Sequence, residues 1–527
     1  MDIQADYIVI GTGSAGAVVI NRLTADPGTE VVALEAGPGD TNRFIGIPAA
    51  FSKLFRSEVD WDYLTEPQPE LDNRQIYWPR GKVLGGCSSM NAMMWVRGFG
   101  ADYDEWAKRA DEQWSGSAAL EYFRRIEDVT AAWHFVSGDD SGVTGPLHIS
   151  RQRSPRPLTA AWLAATRECG YPVARPNSTA PEGFCETVVT QRRGARFSTA
   201  DAYLKPAMSR KNLTLLTDAT ATRIIFEGTR AVGVEYQRAG HSHVVHARHE
   251  VVLCGGAVNS PQLLMLSGIG DRDHLAEHGI ETVHHAPEVG QNLIDHLVTP
   301  VGFDVDDDSL FSAEKPKQLI NYLLRRRGML TSNVGEAYGF VRSDPDLELP
   351  DLELIFAPAP FYDEALQPAA GHGVVFGPIL VAPESRGQIT LRSADPYDKP
   401  VIDPRYLSDP RDREAMMVGL RICAELAQAP SLRDVLGPVV RPRNCGPELD
   451  DATLEHALNA CSHTLYHPMG TCRMGSDEDS VVDPHLKVRG VEQLRVADAS
   501  VMPSTIRGHT HAPSVLIGER AADLIRS

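Results

Sequence analysis

The segment that most constrains this chain is Gly11-Thr12-Gly13-Ser14-Ala15-Gly16. It follows the apolar, β-branched run Tyr7-Ile8-Val9-Ile10 and opens an amphipathic stretch from Ala17 to Ala25, after which Glu30 to Leu34 reads as a second strand. Strand, glycine-rich turn, helix and strand in that order make a βαβ unit. Gly11 permits the tight turn, Gly13 lets backbone approach a pyrophosphate, and Gly16 lets the helix pack closely on the strand. The helix N-terminus then faces the anion with unpaired N–H groups and the positive end of its dipole. Glu35 ends the second strand 19 residues after Gly16, where an acid bonds the ribose hydroxyl of an adenosine. A chain with this unit is built to hold an adenine dinucleotide.

Composition closes off other classes. The 527 residues are long enough for roughly two to four domains and a large core without disulfide or metal staples. Hydrophobic residues at 42% and charged ones at 23% are those of a globular chain, not a disordered one. The 51 Lys and Arg against 70 Asp and Glu leave a net charge of −19, which repels phosphate backbones and argues against nucleic acid as a partner. The densest basic run, Arg325-Arg326-Arg327, reads as a solvated helix end. The cysteines at 87, 169, 185, 254, 423, 445, 461 and 472 include no C-x-x-C pair and read as free thiols. The longest apolar stretch, Val374 to Ala382, contains Gly and Pro and falls far short of a membrane span of ~20 residues. No Lys or Arg precedes Arg22, so the basic n-region of a secretory signal is missing and a cytoplasmic location is expected.

Further along, Asn212 to Thr217 and Glu250 to Leu253 read as strands, and Asn259 to Leu266 as a helix opening with Ser260-Pro261. From about 300 to 461 the texture changes to runs such as Leu352 to Phe356, Val374 to Val381 and Gln388 to Leu391, separated by Pro and Gly turns, which suggests antiparallel strands of an inserted second domain. Leu494 to Asp498 and a helix from Pro513 to Ile525 resume strand-turn-helix chemistry.

Four blocks of this chain resemble the glucose-methanol-choline (GMC) oxidoreductases: GTGSAG at the N-terminus, Gly81 to Ser89, Gly256 to Gly270 (GAVNSPQLLMLSGIG) and His467 to Gly475 (HPMGTCRMG). Within that family the pattern looks closest to choline dehydrogenases and related alcohol dehydrogenases and oxidases. The resemblance implies a bound FAD and an α/β fold, α+β overall. A doubly wound FAD-binding domain would take residues 1–155, 196–298 and 462–527, with an inserted substrate domain, 156–195 and 299–461, built on an antiparallel sheet with helices. It implies that Gly11, Gly13, Gly16 and Glu35 hold the ADP half, with Ser14, Ala15 and Ala36 beside them. Val83, Gly85, Gly86, Ser88, Asn91 and Ala92 would run along the flavin with Trp61, while Ala221 meets the adenine side and Asp498 with Ala499 returns to the pyrophosphate and ribityl chain. Cys87 stands where relatives usually carry Gly, Ser or Thr, although choline oxidases also place Cys there.

Alcohol oxidation on FAD needs a base for the hydroxyl proton, and His, with an ordinary pKa of ~6.5, suits that task near neutral pH. His463, His467, His509 and His511 lie near the C-terminus, and His467 and His511 stand at element boundaries. In the resemblance, His467 matches the catalytic His and His511 a second position that is His or Asn in different members, so His467 is read as base and His511 as the partner orienting the alkoxide. Pro513 fits the start of a helix whose N-terminus would face the flavin and stabilise the charge that arrives there. A rival reads the four His as ligands of a metal, but Pro468 interrupts the i, i+4 pair and no acid or Cys completes the set, so no metal is assigned. Relatives that are cyanohydrin lyases or light-driven decarboxylases keep an FAD lyase or photodecarboxylase as the alternative. Glu336, Tyr338, Phe356 and Phe361 are candidates for the substrate pocket, Glu336 toward a substrate cation and the aromatics toward an apolar alcohol. Neither the electron acceptor, dioxygen or a carrier, nor a homodimer is specified by any motif. Met90 stands where choline oxidases attach FAD through a His, so the cofactor is expected to be non-covalent.

Overall fold

The computed structural model describes residues 3–136, 140–178, 182–366, 368–446 and 448–527. Strand Ile3–Ile10, helix Gly16–Leu23 and strand Val31–Leu34 form the expected βαβ unit. Leu213–Leu216, Val31–Leu34, Ile3–Ile10 and His241–Leu253 lie side by side and parallel, and Leu494–Val496 joins His241–Leu253 in the same direction. Arg230–Arg238 and Ala219–Glu227 continue the sheet as an antiparallel meander. Ile8, Val9, Val31 to Leu34 and Val251 to Leu253 are buried, as unbroken apolar runs covered on both faces should be. The glycine turn is tight because backbone meets backbone. A Cβ on Gly11 would lie 2.4 Å from Cys254 O, and one on Gly16 would lie 2.1 Å from Gly11 O.

Helix Gly256–Leu266 begins three residues earlier than its sequence suggested and runs through Pro261. Proline has no N–H, so Ala257 O, four residues back, loses its helical partner; Thr471 Oγ1 donates to it instead at 2.7 Å. One bond thus repairs the helix and fixes the HPMGTC segment against it. The last helix, His511–Arg526, likewise starts two residues before Pro513, which occupies the first turn, where an N–H has no acceptor to lose. This helix lies across Gly16–Leu23. Beside the crossing, buried Glu519 accepts from both Arg22 Nε and Nη2 and from Tyr203 OH at 2.7–3.1 Å.

The second sheet is antiparallel, in the order Val439–Arg441, Val301–Asp304, Gly373–Leu380, Leu352–Ala357, Ala337–Val341, Gly183–Glu186, with Leu297–Val298 and His463–Thr464 attached at its edge. Helices Pro157–Glu168, Pro410–Gln428 and Asp451–Cys461 pack on one of its faces through Trp162, Met416, Leu420 and Leu454. Gln388–Thr390 stands apart, pairing only with Val401–Asp403. The fold class is the expected one: a doubly wound α/β sheet joined to an antiparallel sheet with helices. Among the described residues no helix is long and apolar enough to cross a membrane.

A Cβ on Gly518 would lie 2.6 Å from Ala15 O, so the two helices cross only because that position is bare. Gly518→Ala should force them apart and lower stability by about 1–3 kcal/mol. Gly100→Ala, at a helical site with open space around it, should leave the melting temperature unchanged or slightly raised. Thermal unfolding of both variants checks this.

Candidate active site

A cavity of ≈ 340 Å³ runs between the two sheets. Its first end is formed by the turn after Ile3–Ile10 and the end of Val31–Leu34. Gly11, Gly13, Ser14, Ala15, Glu35 and Ala36 line it there, with Ala221 from the meander. Trp61, Gly86, Asn91 and Ala92 line its middle, and Asp498 with Ala499 close the floor after Leu494–Val496. At the far end stand His467, His509 and His511.

Five residues expected to touch the cofactor do not line this cavity and serve to hold those that do. Val83 is fully buried in an apolar cluster. Gly85 takes φ +86°, and Ser88 Oγ bonds both Gly85 O at 2.6 Å and Thr199 Oγ1 at 2.7 Å, which shapes the loop. Gly16 is spent on helix packing, and Pro513 lies in the first turn between the cavity-lining His511 and Ser514.

Three substrate candidates are also placed elsewhere. The Glu336 carboxylate accepts from Arg156 N–H at 2.7 Å, Thr159 Oγ1 at 2.6 Å and Ser332 Oγ at 2.6 Å, so it caps the N-terminus of Pro157–Glu168. Phe356 stacks on Trp162 with centroids 5.4 Å apart, on the helix-covered face of the sheet. Its neighbours Ile355 and Ala357 have the opposite parity and face the cavity. Tyr338 is buried against Phe340 and Cys185, outside the cavity. Phe361 alone of the four lines it, with Phe51, Phe55, Val334 and Val375.

The two acids that line the cavity, Glu35 and Asp498, are engaged by the protein. Glu35 accepts from Thr12 N–H at 3.0 Å, Thr12 Oγ1 at 2.7 Å and Gly37 N–H at 3.0 Å. Asp498 accepts from Gly256 N–H at 2.8 Å, Ser260 Oγ at 2.6 Å and Ser500 N–H at 2.8 Å. Burial raises the pKa of both carboxyls. Among the described residues, no other carboxylate lines the cavity.

At the far end the imidazoles are tied into a directional chain. Thr505 Oγ1 donates its one hydrogen to Val381 O at 2.8 Å, so toward His296 Nε2, 3.3 Å away, it accepts. Burial, and then the charge of His509, pushes the His296 pKa down to about 3. His296 is therefore neutral with its proton on Nε2, and its bare Nδ1 accepts from His467 Nδ1–H at 3.1 Å. Burial, followed by His509, His296, Arg80 and His511, holds the His467 pKa well below its ordinary value. A neutral imidazole that donates from Nδ1 has an unprotonated Nε2. Asp295, which also accepts from Tyr406 OH, fixes the His467 backbone N–H at 2.9 Å.

His511 Nδ1 bonds Ser14 Oγ at 3.0 Å, which joins the far end of the cavity to the glycine turn. Burial, then Arg196 and His509, lowers its pKa to about 4. His509 lies tilted against His467 with centroids 4.7 Å apart and bonds buried Glu353 through Nε2 at 3.1 Å. His463 also lines the cavity, with Nδ1 2.8 Å from Thr464 O. Sequence reading missed His296, Asp295 and Glu353. A lone acid inside the apolar run Leu352-Glu353-Leu354 is a usable signal for a buried partner, whereas nothing local marks Asp295-His296.

Models of the GMC oxidoreductase N- and C-terminal regions match residues 5–298 and 383–518. An uncharacterised GMC-type oxidoreductase of Mycobacterium tuberculosis is 80% identical over 100% of both chains. The alcohol dehydrogenase [acceptor] of Pseudomonas putida is 41% identical over 99% of this chain and 95% of its own. Mitochondrial choline dehydrogenase of Mus musculus is 41% identical over 99% and 89%. Among solved structures, formate oxidase of Aspergillus oryzae, studied for modification of its FAD, superposes with a TM-score of 0.92 at 29% identity over 100% of this chain and 98% of that one. With both halves of the family matched and relatives aligned nearly end to end, the chain belongs to the GMC oxidoreductase family.

Proposed function

We propose that this protein oxidises an uncharged, apolar primary alcohol to its aldehyde, with His467 taking the hydroxyl proton. Family membership makes it an FAD-dependent oxidoreductase acting on CH–OH donors. Its residues suit that cofactor. Gly13 and Gly256 line the cavity with no atom closer than 3.9 Å to where a Cβ would stand, so backbone faces the space directly. Among the described residues, the N–H groups of Gly13, Ser14 and Ala15 at the head of Gly16–Leu23 meet no protein acceptor, the arrangement that binds a diphosphate. Glu35 would meet the ribose through its remaining lone pairs, and Asp498 would hold the floor loop in place.

FAD, when bound, supplies the acceptor for the carbinol hydride and its two electrons. The chain's part is to place the alcohol and to remove its hydroxyl proton. Phe51, Phe55, Val334, Ile355, Ala357 and Phe361 exclude water from the carbon chain. His467 Nε2 accepts the proton, while His296 keeps the ring in the one tautomer able to do so. His511, tethered by Ser14, bonds the developing alkoxide. Glu353, reached through His509, offsets the charge that His467 acquires. What carries the proposal is the hydrogen-bond chain that leaves His467 Nε2 bare, at the end of a cavity where the described lining holds no acid besides Glu35 and Asp498. A quaternary ammonium substrate such as choline would lack a counter-charge there.

His467→Ala should keep its flavin and fold, yet slow anaerobic flavin bleaching by the best alcohol of a panel about 10²–10⁴-fold. Choline should bleach poorly beside a medium-chain aliphatic or an aryl alcohol. Unchanged bleaching in His467→Ala would remove the base assignment, and aldehyde release from a cyanohydrin with no alcohol bleaching the flavin would replace oxidation by lyase chemistry.

Attachment of the cofactor is separable from turnover. Met90 is buried and lines the cavity, and a thioether does not attack the flavin methyl carbon. Cys87 is the nearby nucleophile, its Sγ accepting Gly81 N–H at 3.3 Å. Acid precipitation should leave the yellow colour in the supernatant. Colour retained in the pellet, and released by Cys87→Ser, would show a thioether link.

A further inference from the structure

Away from the cavity, large exposed apolar side chains gather on one helix, Pro316–Arg325. Leu319, Ile320, Leu323 and Leu324 are 44%, 57%, 61% and 79% exposed. At ~100° per residue they share an arc of roughly 140°, a stripe as wide as one that normally faces a core. Tyr322 points the other way. It is buried, its OH donates to Gly46 O at 2.9 Å, and it belongs to the apolar cluster that holds Phe51, Phe55 and Phe361. The helix is therefore seated on the protein by its inner face and presents its apolar face outward.

Charge identifies what covers it. In a chain of net −19, Lys315 and Lys317 stand at the N-terminal end of this helix and Arg325, Arg326 and Arg327 at its C-terminal end. Among the described residues none of the five makes an ion pair, and Arg326 lies over the Tyr322 ring at 4.7 Å. The acids nearest in sequence include Glu314, paired with Lys53, and Asp308, paired with Arg156. An amphipathic helix with leucines and isoleucine on one face and cations at both ends suits the boundary between acyl chains and anionic headgroups. The same cations would repel each other if two copies met through this face.

We propose that helix Pro316–Arg325 docks the protein on an anionic membrane surface, its apolar face entering the headgroup–acyl boundary and its Lys and Arg meeting lipid phosphates. The mode is peripheral and needs no spanning helix.

Co-sedimentation of the FAD-loaded full chain with vesicles tests it, using phosphatidylcholine alone or with about 30 mol% phosphatidylglycerol at about 0.1 M salt. The protein should pellet with the anionic vesicles and remain soluble with phosphatidylcholine. Arg325→Gln with Arg327→Gln should lower the partition coefficient roughly thirtyfold. Ile320→Glu with Leu324→Glu should abolish pelleting while melting temperature, flavin content and bleaching by a water-soluble alcohol stay unchanged. Failure of the parent protein to pellet with anionic vesicles, pelleting retained by the Ile320→Glu, Leu324→Glu variant, or a dimer in solution that this variant dissolves would each overturn the proposal.

Discussion

Burial keeps His296, His467 and His511 uncharged, and the chemistry proposed for the site depends on it. For His511 the change from an ordinary 6.5 to about 4 corresponds to roughly 3 kcal/mol favouring the neutral ring. That preference is larger than a typical hydrogen bond contributes. It makes the imidazoles proton acceptors at neutral pH, and it lets one hydroxyl, Thr505 Oγ1, dictate through His296 which nitrogen of His467 carries the hydrogen.

Holding such rings in place requires both sheets. His467 and His511 lie on segments that follow the antiparallel edge strand His463–Thr464 and open the last helix, while Glu353 comes from the centre of the second sheet. The last helix in turn packs on Gly16–Leu23 through bare Gly518, and Ser14 ties His511 to the glycine turn. The groups suited to a diphosphate and those suited to an alcohol thus share one rigid connection. Thr471 serves the same end, since its bond to Ala257 O attaches the His467 segment to helix Gly256–Leu266.

Much of this was legible in the chain. The βαβ unit declares itself because strand, glycine spacing and helix are local, and the two His marked at element boundaries, His467 and His511, both line the cavity. Substrate-side residues were not. Phe356 and Ile355 are adjacent in an apolar run, and only the pairing of Leu352–Ala357 between two neighbours decides which parity faces the cavity. Glu336 looked like a candidate binding acid because two of its partners, Arg156 and Thr159, are 180 and 177 residues away and invisible to any local pattern. The His296 relay is hidden for the same reason. Helix starts were misplaced by two or three residues wherever a proline suggested a boundary that tertiary contacts overrode.

The pH dependence of anaerobic flavin reduction measures the neutrality of the base most directly. A histidine whose pKa is lowered by burial is deprotonated above that lowered value, so the rate with a saturating non-ionisable alcohol should stay flat from about pH 8 to below about pH 6. A fall centred near the ordinary imidazole value of ~6.5, absent from the flavin's own titration, would show that His467 is not held neutral and would contradict the account.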